Sequence, residues 1–536
     1  MQYGYALAIV AGLFAASVLV PMALDPPRAP AALSDDGLLA PRDPCQGPNA
    51  KGPVGPLDIL SGKSQSEDVK ISSIDGHQVP ATIHKPVEAG PDRRTPVLLH
   101  SHGWSGTRAA APGSFEAYHK GGFGVVSFDM RGHGDARTTS AARVHDVNFE
   151  IKDVSAVITY LAGLDWVRLD AEGDPLVGAL GGSYGGGYQL LAAAFDERLD
   201  AIAPEITWND LPQSLVPNGA PKSAWVDILY FTGVARTQLD PTVHEGFSVL
   251  QTQNRIPDGR FPGEPDLKKR FTESSPKSYP DKIRIPTLLL QGANDTLFNV
   301  NQAVRNYQQI LATCTPVNLV THLGGHILNT RGTLPAPSPA PVGMQGPAGG
   351  SPCGSIVNLT LRWYQRHLLG APLAPGEPVC LALDDNTFRS GPRFPLPETG
   401  NATFPFGSQV VPQAVPFSKA LDVGSPGHLD VLLGIPVVSG RVTTLAPDAN
   451  VYFALQATSA SGSRILNAQV TPLRLEGAPS EKAFRVELGA VATDLRPGEH
   501  LGLVISNHHD QFAHNGERVP GAVTLSSLVL QLPVFG

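Results

Sequence analysis

The chain is poor in cysteine, methionine and charge. Four cysteines and four methionines stand among 536 residues, and only 16% of positions are Asp, Glu, Lys or Arg. So few cysteines, with no C-x-x-C spacing, exclude a zinc ribbon or a disulfide-knotted scaffold. Basic residues form no cluster, and 40 Lys and Arg are outnumbered by 48 Asp and Glu, for a formal charge of −8. That balance gives no footprint for nucleic acid. Internal repeats are also missing. Low charge does not mean disorder, because 42% of the residues are hydrophobic and can fill buried cores. A chain of 536 residues exceeds one ordinary core, so two or three domains are expected.

Charge is absent altogether from "YALAIVAGLFAASVLVPMAL", Tyr5 to Leu24. Such a run suits a secretory apolar segment or a signal anchor, with "APA" at Ala29–Ala31 as a cleavage site. Residues 1–25 are therefore expected to be a signal peptide or anchor, and the protein secreted or periplasmic. Any membrane contact would run through that anchor. Residues 26–66, rich in Pro, Gly and Asp, read as a linker or surface arm. In an oxidising compartment Cys45, Cys314, Cys353 and Cys380 can form one or two disulfides. Cys314–Cys353 is the preferred pair, since it would tie a strand to a loop returning to it. Buried free thiols are the alternative.

Regular structure starts near residue 67. "VKISSIDGHQVPATIHKP" is two alternating runs around Asp75-Gly76, a hairpin signal. Continuous apolar runs follow in "TPVLLHSHG", "FGVVSFDMRGHG" and "LVGALGG", with helix-like "VSAVITYLAGL" and "YQLLAAAF" beside them. Strands alternating with helices predict a parallel sheet covered on both faces, within a catalytic domain spanning 67–372. From 201 to about 280 the rhythm breaks into aromatic, Pro-punctuated segments such as "SAWVDILYFTGVA", expected to form a helical cap. The sheet resumes at "IRIPTLLLQGAND" and "PVNLVTHLGGH"; a Pro/Gly/Ser-rich insert and the helix "IVNLTLRWYQRHLLG" close the domain. Residues 373–536 carry short alternating runs between turn signals, an all-β sandwich or jelly roll.

Within this frame "GGSYGG" places Ser183 after an apolar strand and before a helix. That is the setting of a nucleophile elbow, where small neighbours let the backbone turn sharply. In a chain with 56 glycines the G-x-S-x-G pattern arises readily by chance, so its partners decide. A serine hydroxyl needs an imidazole to take its proton, and the imidazole needs a carboxylate to fix its tautomer. "TLLLQGANDTLF" puts Asp295 in the loop after one strand, and "VNLVTHLGGHIL" puts His326 just past the next. The order Ser183, Asp295, His326, each beyond a strand's carboxyl end, is that of α/β hydrolases. His322 is the rival base, but it sits within the strand. Asn294 cannot supply the charge. For the oxyanion, the backbone N–H of Tyr184 and that of Trp104, after "VLLHSHGW", are expected to serve.

These residues resemble the Xaa-Pro dipeptidyl-peptidase and cocaine-esterase group of α/β hydrolases. The carriers are "GGSYGG", "IPTLLLQGANDTLF", "GGH", the helix with "RWYQRHLLG" and the β segment "DLRPGEHLGLVIS". The resemblance covers roughly residues 67–536. It implies a serine hydrolase with a helical cap and a C-terminal jelly roll, with esterase, α-amino-acid ester hydrolase, acylase or dipeptidyl-peptidase activity. Several members take an oxyanion donor from a tyrosine side chain where this chain has His102-Gly103-Trp104-Ser105-Gly106, so a backbone hole is expected instead.

The expected activity is cleavage of small-molecule or polymeric esters, and of some amides, without cofactor or metal. A dipeptidyl-peptidase is the alternative; it would need Glu205 or Asp210 to hold a substrate amine. A non-catalytic binding protein is the distant one. Trp208, Trp225, Tyr230 and Phe231 are candidates to line an acyl pocket. Asp129, Arg131, His133 and Asp135 of "DMRGHGDA" are expected to order the site's wall, and His508, His509, Asp510 and His514 to form a polar loop, not a metal site. Nothing in the sequence fixes the oligomeric state.

Overall fold

In the computed structural model the described residues are 60–328, the backbone of 343–345, and 351–536 without 374–375, 426, 428, 447, 478–480 and 513–519. The apolar leader, the cleavage site at Ala29–Ala31, Cys45, most of the Pro-rich insert and His514 lie outside them. None of the described helices is long and apolar enough to cross a membrane.

Two alternating runs make the expected hairpin, β1 (Ser64–Ser72) and β2 (Gln78–Pro86). The continuous apolar runs become β3 (Val97–Ser101) and β4 (Gly124–Phe128), around the short helix α1 (Glu116–Lys120). Helix α2 (Glu150–Ala162) and a small hairpin, β5 (Leu169–Ala171) with β6 (Asp174–Pro175), lead to β7 (Val177–Gly182). Helix α3 (Tyr184–Phe195) and β8 (Leu199–Glu205) follow. Beyond a helical insertion the sheet resumes with β9 (Thr287–Gly292), α8 (Val300–Leu311) and β10 (Val317–His322). The insertion holds α4 (Leu211–Leu215), α5 (Ser223–Arg236), α6 (Pro241–Gln253) and α7 (Leu267–Glu273). Past β10 come two short strands, β11 (Gly325–Ile327) and β12 (Gly343–Gln345), then α9 (Ile356–His367), β13 (Val379–Ala382) and β14 (Phe388–Gly391).

The main sheet runs β1-β2-β4-β3-β7-β8-β9-β10-β13-β14. Strands from β4 to β13 pair in parallel, whereas β1, β2 and β14 are antiparallel edges. The expected parallel sheet is thus mixed. Its central strands are buried on both faces, which is why they read as unbroken apolar runs rather than alternations. The strand order reverses at β3, and the crevice beyond the carboxyl ends there is the natural site in such sheets.

Three boundaries shift. Residues 201–205, assigned to the cap, complete β8, and the insertion's helices begin at Leu211. Residues 379–391, assigned to the β domain, still belong to the main sheet as β13 and β14. Both strands are only four residues long, too short for their pattern to tell the rim of the main sheet from a sandwich strand. Ser64–Gln65–Ser66 of the expected linker start β1. Beyond residue 398 two antiparallel sheets share one apolar core, and the long strands Thr399–Pro412 and Ala522–Phe535 pair with each other.

The cysteine pairing also differs. Cys353 is bonded to Cys380, at a sequence separation of 27. The preferred Cys314–Cys353 pair does not form; Cys314 is disulfide-bonded too, and no described cysteine is free. The bond ties the loop before α9 to strand β13, a neighbour of β10 in the sheet rather than β10's own connection.

Candidate active site

Ser183 stands between β7 and α3 with φ 57° and ψ −119°, in the sparsely populated region that marks a strained elbow. Close packing explains its glycines. A Cβ on Gly185 would lie 2.3 Å from the Ser101 carbonyl oxygen, and one on Gly187 would lie 2.5 Å from the Trp208 ring. The turn is held by Ser183 N–H donating to the Glu205 carbonyl, and by the Gly186 and Gly187 amides donating to the Ser183 carbonyl.

The acid and the imidazole meet this serine in one line. His326 Nε2 lies 2.8 Å from Ser183 Oγ, and His326 Nδ1 lies 2.6 Å from Asp295 Oδ2. Because a carboxylate can only accept, Nδ1 carries the proton and Nε2 is left to accept from the hydroxyl. Asp295 is fully buried, and its two oxygens take four N–H donors. Oδ1 accepts from the Leu297 and Phe298 amides; Oδ2 accepts from the His326 amide and ring. His322 does not compete. Its Nδ1 accepts from the Gly324 amide, and its Nε2 lies 3.3 Å from Glu205 Oε1.

Tyr184 begins α3, so its amide sits at the positive end of a helix beside Ser183 Oγ. The Trp104 ring packs edge-on to Tyr184 at 5.2 Å, and its indole N–H donates to the Leu229 carbonyl. His133 of "DMRGHGDA" packs against both rings, at 5.2 and 5.1 Å. Asp129 and Arg131 fasten the same segment. Asp129 accepts from the Arg108 guanidinium and amide, and Arg131 spans Asp75 and Asp153.

A cavity of about 40 Å³ opens at Ser183. Its lining is almost wholly apolar: Trp104, Val144, Trp208, Leu215, Phe247 and Phe271 with further Leu and Phe. Of the four aromatic candidates, Trp208 lines it. Trp225 lies instead edge-on to the His326 ring at 5.9 Å and donates its indole N–H to Thr296 Oγ1. Tyr230 stacks on His244, and Phe231 is 63% exposed. Leu229 holds the cavity-facing position of α5, Tyr230 is half-buried behind the cavity-lining Phe247, and Phe231 alone of the three faces out. The carboxylates considered for an amine are engaged elsewhere. Asp210 caps α4 and pairs with Lys277 at 2.6 Å, and neither it nor Glu205 lines the cavity.

One part of the site carried no sequence signal. Val144 and His145 both have positive φ, 62° and 57°. This turn is clamped by buried Glu150, whose carboxyl accepts from the Arg143 and Asp146 amides. The clamp presses the His145 ring onto Tyr184 at 3.8 Å, and His145 Nε2–H donates to the Tyr184 carbonyl. Burial holds the His145 ring neutral, with its pKa pushed down to about 3. Burial likewise pushes the Glu150 carboxyl up to about 8, against the Arg143 amide that favours its charge. An unfolded chain releases that proton near 4.5, so between there and 8 the folded protein holds a proton that the unfolded chain lacks. Stability therefore falls as pH rises through that window. Thermal melts from about pH 5 to 8 are expected to show the wild type losing stability relative to Glu150→Gln, which cannot titrate. A constant gap between the two would contradict this.

Comparison with known proteins bears on the same residues. Residues 75–328 match the family described as X-Pro dipeptidyl-peptidase (S15 family). This region is S15-like. It holds β7, the insertion, β9 and β10, and so contains Ser183, Asp295 and His326. The quorum-quenching protein AidA of Acinetobacter baumannii is 31% identical over 160 residues, 30% of this chain and 46% of AidA. The bifunctional esterase/perhydrolase DCH of Acinetobacter calcoaceticus is 31% identical over 141 residues, 25% of this chain and 46% of that protein. The chain thus spans about half the length of the curated relatives it matches. Among solved structures, a CocE/NonD family hydrolase of Staphylococcus aureus aligns with TM-score 0.63 at 14% identity, over 90% of this chain and 97% of that one. An α-amino acid ester hydrolase aligns with TM-score 0.61 at 16% identity, over 90% and 98%. These structures share the fold, including the β sheets beyond the S15 region. The fold is thus shared with these hydrolases, and the likeness to the S15 family is confined to residues 75–328.

Proposed function

We propose that this protein cleaves carboxylic esters of apolar, uncharged acids through an acyl-enzyme on Ser183. The observation that carries the reading is the hydrogen-bonded line from Asp295 through His326 to Ser183, opening on a cavity with no carboxylate in its lining. Ser183 Oγ attacks the ester carbonyl while His326 Nε2 takes its proton. Asp295 holds the ring and stabilises the imidazolium. The amides of Tyr184 and Trp104 receive the oxyanion, His326 returns the proton to the leaving alkoxide, and water then releases the acid by the same route. No step uses a metal or cofactor. Export fits this reading: the apolar leader and the Cys353–Cys380 disulfide both suit an oxidising compartment outside the cytoplasm. The two sheets beyond residue 398 we read as a jelly roll.

A dipeptidyl-peptidase must bury a substrate ammonium, and an unpaired charge in an apolar cavity costs several kcal/mol. The test is a matched pair, p-nitrophenyl butyrate against p-nitrophenyl 2-aminobutyrate, with an Xaa-Pro p-nitroanilide beside them. The ammonium is expected to lower kcat/KM by about 100-fold, roughly 3 kcal/mol, with the anilide slower still. Preference for the aminoacyl ester or the anilide would replace this reading with an aminopeptidase.

A further inference from the structure

The loop that bears Asp295 is held from outside the main sheet. Three consecutive carbonyls, those of Asp295, Thr296 and Leu297, each accept a side-chain donor from another part of the molecule. Gln469 Nε2 donates to the Asp295 carbonyl at 2.9 Å, and Gln511 Nε2 donates to the Thr296 carbonyl at 2.8 Å. Lys222 Nζ, just before α5, bridges the Thr296 and Leu297 carbonyls at 2.8 Å each. Asn467 adds a contact one residue earlier, donating to Asn294 Oδ1. Lys222, Gln469 and Gln511 are all buried.

The far side of this loop faces the imidazole. Thr296 N–H and Oγ1–H both donate to the His326 carbonyl, and Trp225 donates to the same Oγ1. Thr296 is therefore fixed through its carbonyl by Lys222 and Gln511, and through its amide and hydroxyl to the residue that must meet Ser183. A buried ammonium is costly, and a methionine or leucine would fill the same space more cheaply. What the ammonium adds is two charge-assisted bonds to adjacent carbonyls. A polar cavity of about 250 Å³ reaches this clamp, lined by Lys222, Thr296, Gln469 and Gln511 among others.

We propose that Lys222, Gln469 and Gln511 are positioning residues that set the Asp295 loop, and through it His326, so that the C-terminal β domain completes the catalytic geometry. The inference rests on the function proposed above. None of the three lines the cavity at Ser183. Their loss should consequently act on kcat and leave KM nearly unchanged.

The test uses the full chain with Lys222→Ala, Gln469→Leu and Gln511→Leu, each checked for folding by thermal melt. Two readouts are taken. The first is kcat and KM on p-nitrophenyl butyrate. Displacing a reacting group by about 1 Å costs roughly 100-fold, so a kcat loss of about 10- to 100-fold with KM within about twofold is expected. Ethylammonium at millimolar levels, entering the polar cavity, is expected to restore part of the kcat of Lys222→Ala and nothing in the glutamine variants. Tetramethylammonium, which has no N–H, is expected to restore none. The second readout needs no substrate. The His326 Nδ1 proton bound to Asp295 gives a far-downfield NMR signal, assigned by its loss in His326→Ala, and it should move in every folded variant of the three. Folded variants with wild-type kcat and an unmoved proton signal would overturn the inference. If one variant fails to fold, the other two decide. A wild type silent on esters would overturn the proposed function instead, and the proton signal would still judge the clamp.

Discussion

Ser183→Ala is expected to lower kcat on p-nitrophenyl butyrate by about 10⁵- to 10⁶-fold while leaving the melting temperature close to that of the wild type. The elbow is built by its neighbours rather than by the hydroxyl. The Ser183 amide and carbonyl carry the backbone bonds that close the turn, and these survive in alanine. Alanine tolerates the 57° φ no worse than serine does. What vanishes is the hydroxyl oxygen 2.8 Å from His326 Nε2, the one proposed to carry the acyl group. Oxyanion donors and the cavity remain, so a small residual rate over water is expected. Steady-state assays on the purified variant and the wild type, with the wild type's active sites counted by a fluorophosphonate probe, decide the matter. Residual activity of a tenth of wild type would mean that another residue is the nucleophile. A wild type that fails to react with the probe would favour a non-catalytic role.

Asp295→Asn is the second large effect, about 10⁴-fold in kcat, together with a loss of stability of about 1–3 kcal/mol. Both carboxylate oxygens are fully occupied by donors, four N–H groups in all. An amide must present its own NH₂ to one side. Turned toward His326, it faces Nδ1–H and forces the other tautomer, which leaves Nε2 unable to accept from Ser183. Turned away, it faces the Leu297 and Phe298 amides and opens the loop. Either orientation sets donor against donor in a site without solvent. Rates and melting curves measured together test both halves. A variant within tenfold of wild type would show that another carboxylate, not Asp295, serves His326.

The contrast between these residues and the clamps around them shows what a sequence displays. Ser183, Asp295 and His326 each follow a continuous apolar run, because parallel strands buried on both faces cannot alternate, and ends of such runs stand out. Their positions were legible, and so was the hairpin around Asp75. His145 was not. Its role depends on two consecutive left-handed residues and on Glu150 reaching back to two amides, and "RVHDVNFE" has no glycine or asparagine at the turn to betray it. Lys222, Gln469 and Gln511 were equally silent, since a lone lysine or glutamine on a loop has no periodicity and its partner is set by packing between distant segments. The Cys353–Cys380 pair failed to show for a related reason. Only the sheet order, with β13 beside β10, places those cysteines together. Phe231 illustrates the reverse error: aromatic content in an inserted helix says nothing about which face the helix turns inward.

The donors that steady the Asp295 loop arrive late in synthesis. Gln469 and Gln511 follow the residues they hold by 174 and 215 positions. At ordinary ribosomal speeds of about 5–20 residues per second, the S15 region is complete for roughly 10–40 s before the last of these side chains exists. During that interval Lys222 can already hold the Thr296 and Leu297 carbonyls, but the Asp295 carbonyl has no donor and the Thr296 carbonyl lacks its second. The loop's full set of donors is thereby complete only once the β domain has been made. A chain interrupted between the two regions would keep the lysine of this clamp and lack both of its glutamines.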